Sequence, residues 1–373
     1  MKICIASPYY MPFIGSNEYG LARALVGYGH EVTVITSKSK APREKNITGQ
    51  LSYSPNFEVK YVRTFLNIED NPVVASIDTE GFDIVLLQED YPFLCHRAYA
   101  SAKKKGIPTI ISSERTYYPQ NAVKRYVLKI LDAWSNRKLR EGTDALTAHC
   151  GAAREFMKKE LGVKREIEII HVGIDSGIFK PLPSRNRYLH DGDLKLLTVA
   201  RLHPYKGLEY LIRSMEIIGK KNPGAKLYIL GKGHDEKRLR ATANRSGIKN
   251  IKFMDEVIPN NMMPELYAEC DIYVQPSLIE PFSIAVLEAM SCGKPVVGTK
   301  VGGMLDIINE SAGFLVDPEK AQALAEAIMR MNDPDTRRKI GEAARRRAVE
   351  VFDWEVIGKK YMDLIERVAK GRE

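Results

Sequence analysis

Short apolar runs alternate with helical patterns along this chain, stop, and then begin again. Strand-like runs lie at 2–6, 31–36, 59–62, 84–87, 109–112, 145–148 and 168–171. Helical spacing fits 17–28, 93–105, 122–140 and 151–161 between them. Between 179 and 193 the pattern breaks at Pro181, Pro183 and Gly192, which reads as a linker. It restarts with strands at 195–199, 226–230, 251–253, 271–274, 295–298 and 313–316. Helices fit 208–220, 236–244, 262–269, 284–291 and 320–331, and runs at 336–351 and 355–368 close the chain. Strands that alternate with helices form parallel sheets covered on both faces. The expected fold class is therefore α/β, with two Rossmann-like doubly wound domains and a ligand cleft at their strand ends. Domain bounds of 1–180 and 193–352 follow, with the helix at 355–373 returning to the first domain. The region 38–58 is polar and aperiodic and reads as a loop.

Size and composition agree with two cores. The chain has 373 residues, of which 44% are hydrophobic, too long for one ordinary core. No run is long and apolar enough for a membrane-spanning helix. Met1 leads directly into a strand with no signal-peptide layout, so a cytoplasmic location is expected. Five cysteines (Cys4, Cys95, Cys150, Cys270, Cys292) lack metal-ligand spacing. That suits a reducing compartment, with no disulfide framework and no metal. The net charge of +9 attracts polyanions in general. No zinc-finger, RNA-recognition or basic-zipper pattern accompanies it, so nucleic acid is not an expected partner.

The chemistry concentrates in Glu280 to Glu288. Glu280 lies on the loop leaving a strand, and Ser283 is placed to cap the helix that follows. Glu288 falls within Ile284-Ala285-Val286-Leu287-Glu288-Ala289-Met290, an otherwise apolar helix. A carboxylate there needs a partner. The helix N-terminus between the two glutamates is a ready anion site. Carboxylates on both sides of a phosphate suit a nucleotide sugar, with ribose on one side and hexose on the other.

Other strand-end loops carry weaker signals. Arg201 and Lys206 can neutralise a diphosphate, Arg as a planar fork and Lys as a point charge; they can equally be surface cations. Gly231-Lys232-Gly233 and Gly302-Gly303 are tight turns beside a ligand or plain punctuation. Gly15, in the loop after the first strand, allows close backbone approach. That loop lacks the G-x-G-x-x-G spacing of a dinucleotide site.

These residues resemble glycosyltransferase family 4, retaining enzymes of the two-domain GT-B architecture that include glycogen synthases and mannosyltransferases. The most specific part is Glu280-Pro281-Phe282-Ser283 through Glu288-Ala289-Met290 and Gly293-Lys294-Pro295. Gly29-His30-Glu31, Gly173-Ile174-Asp175, Phe179-Lys180-Pro181, Ala200-Arg201 and Lys206-Gly207 support it. The resemblance implies a hexosyl transfer from a nucleotide-diphosphate sugar to a hydroxyl acceptor: a glycan, a glycolipid or a small molecule. It implies a metal-independent, front-face mechanism with no cofactor beyond the donor substrate, in polysaccharide or glycolipid biosynthesis. Glu288 would bind the ribose and Glu280 the sugar hydroxyls. Arg201 and Lys206 would hold the leaving diphosphate. Phe282, Ser283, Ile284, Gly231 and Gly15 would touch sugar or phosphate, and Val257 the base. An epimerase or a non-catalytic nucleotide-sugar-binding protein of the same fold is the alternative.

The sequence departs from the family pattern at Gly15-Ser16, often a glycine pair, and at Asp255, commonly glycine. Glu114 stands where the family places a histidine near the reacting sugar. Glu114 either takes over that polar role or pairs with Arg115 or Lys124. His149 is a second replacement by position, or a solvent-facing or capping histidine. The basic, amphipathic, tryptophan-bearing segment 122–140 fits a helix packed on the sheet. It fits equally a helix lying on an anionic membrane, which would suit a lipid-linked acceptor.

Overall fold

The computed structural model describes residues 1–10, 16–38, 55–68, 71–245 and 247–371. Gly15 and most of the expected 38–58 loop lie outside them. The chain divides into two compact units: unit 1 is Met1–Gly173 with Trp354–Glu373, and unit 2 is Ile174–Asp353.

In unit 1 the elements run β1 (Lys2–Ala6), α1 (Asn17–Gly27), β2 (Glu31–Ser37), β3 (Glu58–Val62), β4 (Thr64–Ile68), β5 (Asn71–Val74) and β6 (Ile84–Gln88). Then follow α2 (Phe93–Lys104), β7 (Thr109–Ser113), α3 (Ala122–Ala133), α4 (Ser135–Gly142), β8 (Ala145–Ala148), α5 (Gly151–Lys159) and β9 (Glu168–Ile169). Seven strands form a parallel sheet in the order β3-β2-β1-β6-β7-β8-β9. Every residue of β6 and β7 is buried, as a sheet covered on both faces requires. The antiparallel pair β4-β5 was not expected, because Phe65, Leu66 and Ile68 are exposed and show no alternation.

In unit 2 the order is β10 (Leu194–Val199), α6 (Leu208–Lys221), β11 (Ala225–Leu230), α7 (Glu236–Arg245), β12 (Ile251–Met254), α8 (Met263–Glu269) and β13 (Ile272–Gln275). It continues with α9 (Ile284–Ser291), β14 (Val296–Thr299), α10 (Met304–Ile307), β15 (Gly313–Val316), α11 (Ala321–Met329) and α12 (Pro334–Phe352). Its parallel sheet has the order β12-β11-β10-β13-β14-β15. Leucines and isoleucines of β10, β11, α6 and α11 fill the core on one side.

The last helix, α13 (Trp354–Lys370), belongs to unit 1. Ile357, Tyr361 and Ile365 join the core formed by Ile3, Leu21, Leu25 and Val34. The Tyr361 hydroxyl lies 2.6 Å from Ser112 Oγ on β7. Residues 179–193, expected as a linker between domains, fall within unit 2 and are anchored to it at two points, although 180–187 and 190–193 are exposed. Phe179 and Leu189 are fully buried there. The Glu269 carboxylate accepts backbone N–H groups from Arg187, Tyr188 and Leu189 at 2.5–2.8 Å.

Segment 122–140 is two helices, α3 and α4. Trp134 breaks them with a non-helical φ of −125° and ψ of −79°.

Candidate functional site

Ligands of doubly wound sheets bind where the strand order reverses, outside the strand C-termini. In unit 2 that point lies between β10 and β13. The loops after these strands carry Arg201 with Lys206, and Glu280.

Backbone contacts lock the two loops together. The N–H of Leu278 donates to the Tyr205 carbonyl at 2.7 Å. Gly207 has φ +62°, and a Cβ there would sit 2.1 Å from the Pro276 carbonyl oxygen. Only glycine permits this approach. The result is an ion pair between Lys206 Nζ and Glu280 Oε2 at 2.6 Å, with side chains 14% and 5% exposed.

A polar ladder supports the carboxylate. Tyr273, Gln275 and Ser277 alternate along and just beyond β13, so they share one face. The Tyr273 hydroxyl lies 2.9 Å from Gln275 Oε1. Gln275 Nε2 donates to Ser277 Oγ at 2.8 Å, and that hydroxyl donates to Glu280 Oε2 at 2.9 Å. From the other side, the N–H of Gly303 donates to the Glu280 and Pro281 carbonyls at 3.1 and 3.0 Å.

Arg201 is more open. Its Nη2 donates to the Tyr205 hydroxyl at 2.5 Å. The Arg201 and Lys206 cations stand 5.8 and 5.5 Å from the Tyr205 ring centre. One aromatic ring therefore carries both cations of the expected diphosphate site. Gly231, with φ +146°, leaves room for the Ala200 carbonyl, 1.9 Å from where a Cβ would be. Its glycine is explained by packing of the strand ends alone.

Glu288 occupies a different place. The Tyr267 hydroxyl donates to its Oε2 at 2.6 Å. Burial pushes its carboxyl up to about 7, against the lowering effect of the Tyr267 and Asn260 hydrogen bonds. Asn260 Oδ1 beside it is buried without a hydrogen-bond partner. Ser283 precedes α9 in an extended conformation without a side-chain cap, so the first turn of that helix keeps donors for an anion. Phe282 packs its ring 6.3 Å from Phe352. Ile284 is half-buried, and Val257 is exposed beyond β12. Asp255 is paired with Arg240 at 2.6 Å.

In unit 1 the strand order reverses between β1 and β6, and Glu89 follows β6. Glu89 is buried, although its φ is +79°. Such a conformation costs a glutamate about 1–3 kcal/mol and concentrates at functional positions. Its carboxylate accepts from Ser113 Oγ at 2.9 Å and from the Glu114 N–H. Burial, with Asp90 and Glu114 nearby, pushes its carboxyl up to about 8. Glu114 itself is exposed. Arg115, one of its expected partners, is instead engaged by Asp90 at 3.3 Å and by Asp132 at 2.8 Å. His149 is buried, not solvent-facing. Its Nε2 lies 3.3 Å from Ser112 Oγ and its Nδ1 has no partner.

Sequence reasoning missed Glu89, Tyr267 and Asn260. The polar triplet Gln88-Glu89-Asp90 after an all-buried strand was the available signal for the first. A cleft of about 660 Å³ lies beside α3 and α4, lined by Asp132 together with Lys129, Lys164 and Arg165. Among the described residues no cluster of three or more His, Cys, Asp or Glu could hold a metal ion. No helix among them is long and apolar enough to cross a membrane.

Comparison with known proteins adds to this geometry. Residues 19–177 match the family model Glycosyltransferase Family 4, and residues 183–347 match Glycosyl transferases group 1. An uncharacterised glycosyltransferase of Methanocaldococcus jannaschii is 26% identical, with 98% of this chain and 97% of the relative covered. Sucrose-phosphate synthase from Thermosynechococcus elongatus superposes with a TM-score of 0.77 at 20% identity, over 99% of both chains. HepE of Anabaena, in complex with UDP-glucose, gives 0.77 at 20% identity over 98% of this chain and 100% of its own. At such identities the structural likeness carries the fold, two Rossmann-like domains of GT-B type. The two family models between them take in both units, and the chain belongs to the family 4 glycosyltransferases.

Proposed function

We propose that this glycosyltransferase is a retaining hexosyltransferase that moves a sugar from a nucleotide-diphosphate donor to a hydroxyl acceptor. The buried Lys206–Glu280 pair at the strand-order reversal, with Glu288 housed separately against Tyr267, carries this reading. Glu288 accepts from ribose hydroxyls, and Glu280 from hydroxyls of the hexose. Arg201, Lys206 and the first turn of α9 hold the diphosphate. They stabilise its charge as it leaves, in place of a metal ion. Phe282, Ser283 and Ile284 border phosphate and sugar, and Val257 the base.

The donor side supplies electrostatics, with Glu280 Oε2 held by Lys206 and Ser277. Retention then follows if a leaving phosphate oxygen takes the acceptor proton on the same face of the sugar. Glu89 and Glu114 of unit 1 orient the acceptor hydroxyl. The UDP-glucose held by HepE supports the donor class.

A thermal-shift screen of UDP-, GDP- and ADP-sugars, followed by NMR of the product anomer, tests the reading. A saturating donor stabilises the fold by roughly 2–3 kcal/mol, and the product keeps the donor's anomeric configuration. An unchanged midpoint with every nucleotide sugar, or an inverted product, contradicts it.

A further inference from the structure

We propose that α3 is a docking helix that seats this protein on anionic lipid bilayers. The helix is attached the wrong way round for an ordinary packed one. Its one buried residue is Asp132, while Val123, Tyr126, Val127, Ile130 and the adjoining Trp134 are 50–72% exposed. On a helical wheel the four within α3 fall in an arc of about 100°, with Asp132 opposite. The helix does pack, through Leu128, Leu131 and Asp132, but the stripe of Val123, Tyr126, Val127 and Ile130 is not part of that packed face.

Buried charge holds the helix down, flanked by the half-buried Leu128 and Leu131 on the same inward side. Asp132 takes both Nη atoms of Arg115 at 3.0 and 2.8 Å, and Asn136 Nδ2 at 2.9 Å. Arg140 reaches the Asp132 carbonyl at 2.7 Å. At the other end Asn121 Oδ1 caps the Lys124 N–H at 3.0 Å. The tie is fully satisfied with the apolar stripe left in water.

Charge identifies the occupant. Lys124, Arg125, Lys129, Arg137 and Lys138 are exposed along α3 and α4, against a single exposed carboxylate, Glu141, which pairs with Arg137. Lys124 and Lys129 flank the stripe on opposite sides. A second copy paired about a two-fold axis would set these cations against each other. A plane of anionic headgroups over acyl chains complements them. Trp134, with Lys138 Nζ 4.9 Å from its ring, combines an interfacial aromatic with a snorkelling cation. None of these residues belongs to the donor set, so the proposal stands apart from the donor reading.

Flotation of the full chain on phosphatidylcholine vesicles, with and without phosphatidylglycerol, tests it. The chain should float with the anionic vesicles at low salt, and much less with phosphatidylcholine alone. The Ile130→Ser/Trp134→Ser variant should bind at least about tenfold more weakly. Each reversal in Lys124→Glu/Lys129→Glu should cost at least about fivefold. Melting curves unchanged from wild type confirm folding of these surface variants. Trp134 emission should shift to the blue on vesicles, and Trp134→Phe should abolish that shift while retaining flotation. Absence of flotation at low salt, flotation indifferent to both double variants, or a dimer dissolved by Ile130→Ser/Trp134→Ser would overturn the proposal.

Discussion

Lys206 Nζ lies 2.6 Å from Glu280 Oε2, and both side chains are largely withdrawn from water. Removing one partner of a buried pair strands the other charge, at a cost of about 3–5 kcal/mol. Lys206→Met should therefore lower stability by roughly that amount in urea unfolding. Adding Glu280→Gln to the same chain should recover most of the loss, because no uncompensated charge remains. Neither variant should recover transfer: kcat/KM should stay down by about 100-fold or more. A double variant as unstable as Lys206→Met would show that charge pairing is not what this contact contributes.

Glu288 should make both stability and donor binding depend on pH. Its carboxyl is raised from 4.5 to about 7 in the folded chain. The folded state thus holds a proton that the unfolded state has released. The stabilisation is full below pH 4.5 and is lost as pH rises through about 7. The loss amounts to roughly 3 kcal/mol. In the proposed site, ionisation also turns Glu288 into a charged acceptor for the ribose hydroxyls. Affinity for a nucleotide-diphosphate sugar should rise between pH 6 and pH 8, across the Glu288 titration near 7. Glu288→Gln should flatten both profiles; calorimetric titrations that stay pH-dependent in that variant would remove Glu288 from this role.

Gly207→Ala forces a Cβ to within 2.1 Å of the Pro276 carbonyl at φ +62°. A loss of about 2 kcal/mol or more is expected, with transfer falling as Lys206 shifts from Glu280. Gly219, in α6, has nothing within 4 Å of its would-be Cβ. Gly219→Ala should instead add roughly 0.5–1 kcal/mol through helix propensity. Paired melting curves and rates check this contrast.

Glu89→Gly tests strain held for function. It relieves the left-handed conformation and removes a buried carboxylate, so the melting temperature should hold or rise. Transfer to an acceptor should fall about tenfold or more while nucleotide binding is retained. Lower stability with unchanged transfer would make Glu89 a purely structural residue.

Much of the sheet architecture was legible because β-branched, apolar runs such as Val32-Thr33-Val34-Ile35-Thr36 leave few alternatives to a buried strand. β4 was not, because Phe65 and Leu66 face solvent and break the usual signal. The sequence put Val123, Tyr126, Val127, Ile130, Leu131 and Trp134 together as the apolar part of this segment, but its pattern does not say which way they turn, and Leu131 is half-buried while the others are exposed. The orientation of α3 is set by Asp132 meeting Arg115 and Arg140, contacts that depend on tertiary packing. Glu288 was conspicuous as a carboxylate in an apolar helix, whereas its partner Tyr267 comes from α8 through packing alone. The φ of Glu89 was invisible, since glutamate has no preference for that region.

In the proposed site Glu288 serves the nucleotide and Glu280 the sugar. Calorimetric titration of UDP, GDP and ADP into the wild type, Glu288→Ala and Glu280→Ala separates these roles most directly. One nucleotide should bind the wild type. Glu288→Ala should weaken it at least about tenfold, and Glu280→Ala should leave it within about threefold while abolishing transfer. Equal losses in the two variants, or no binding of any nucleotide to the wild type, would contradict the account.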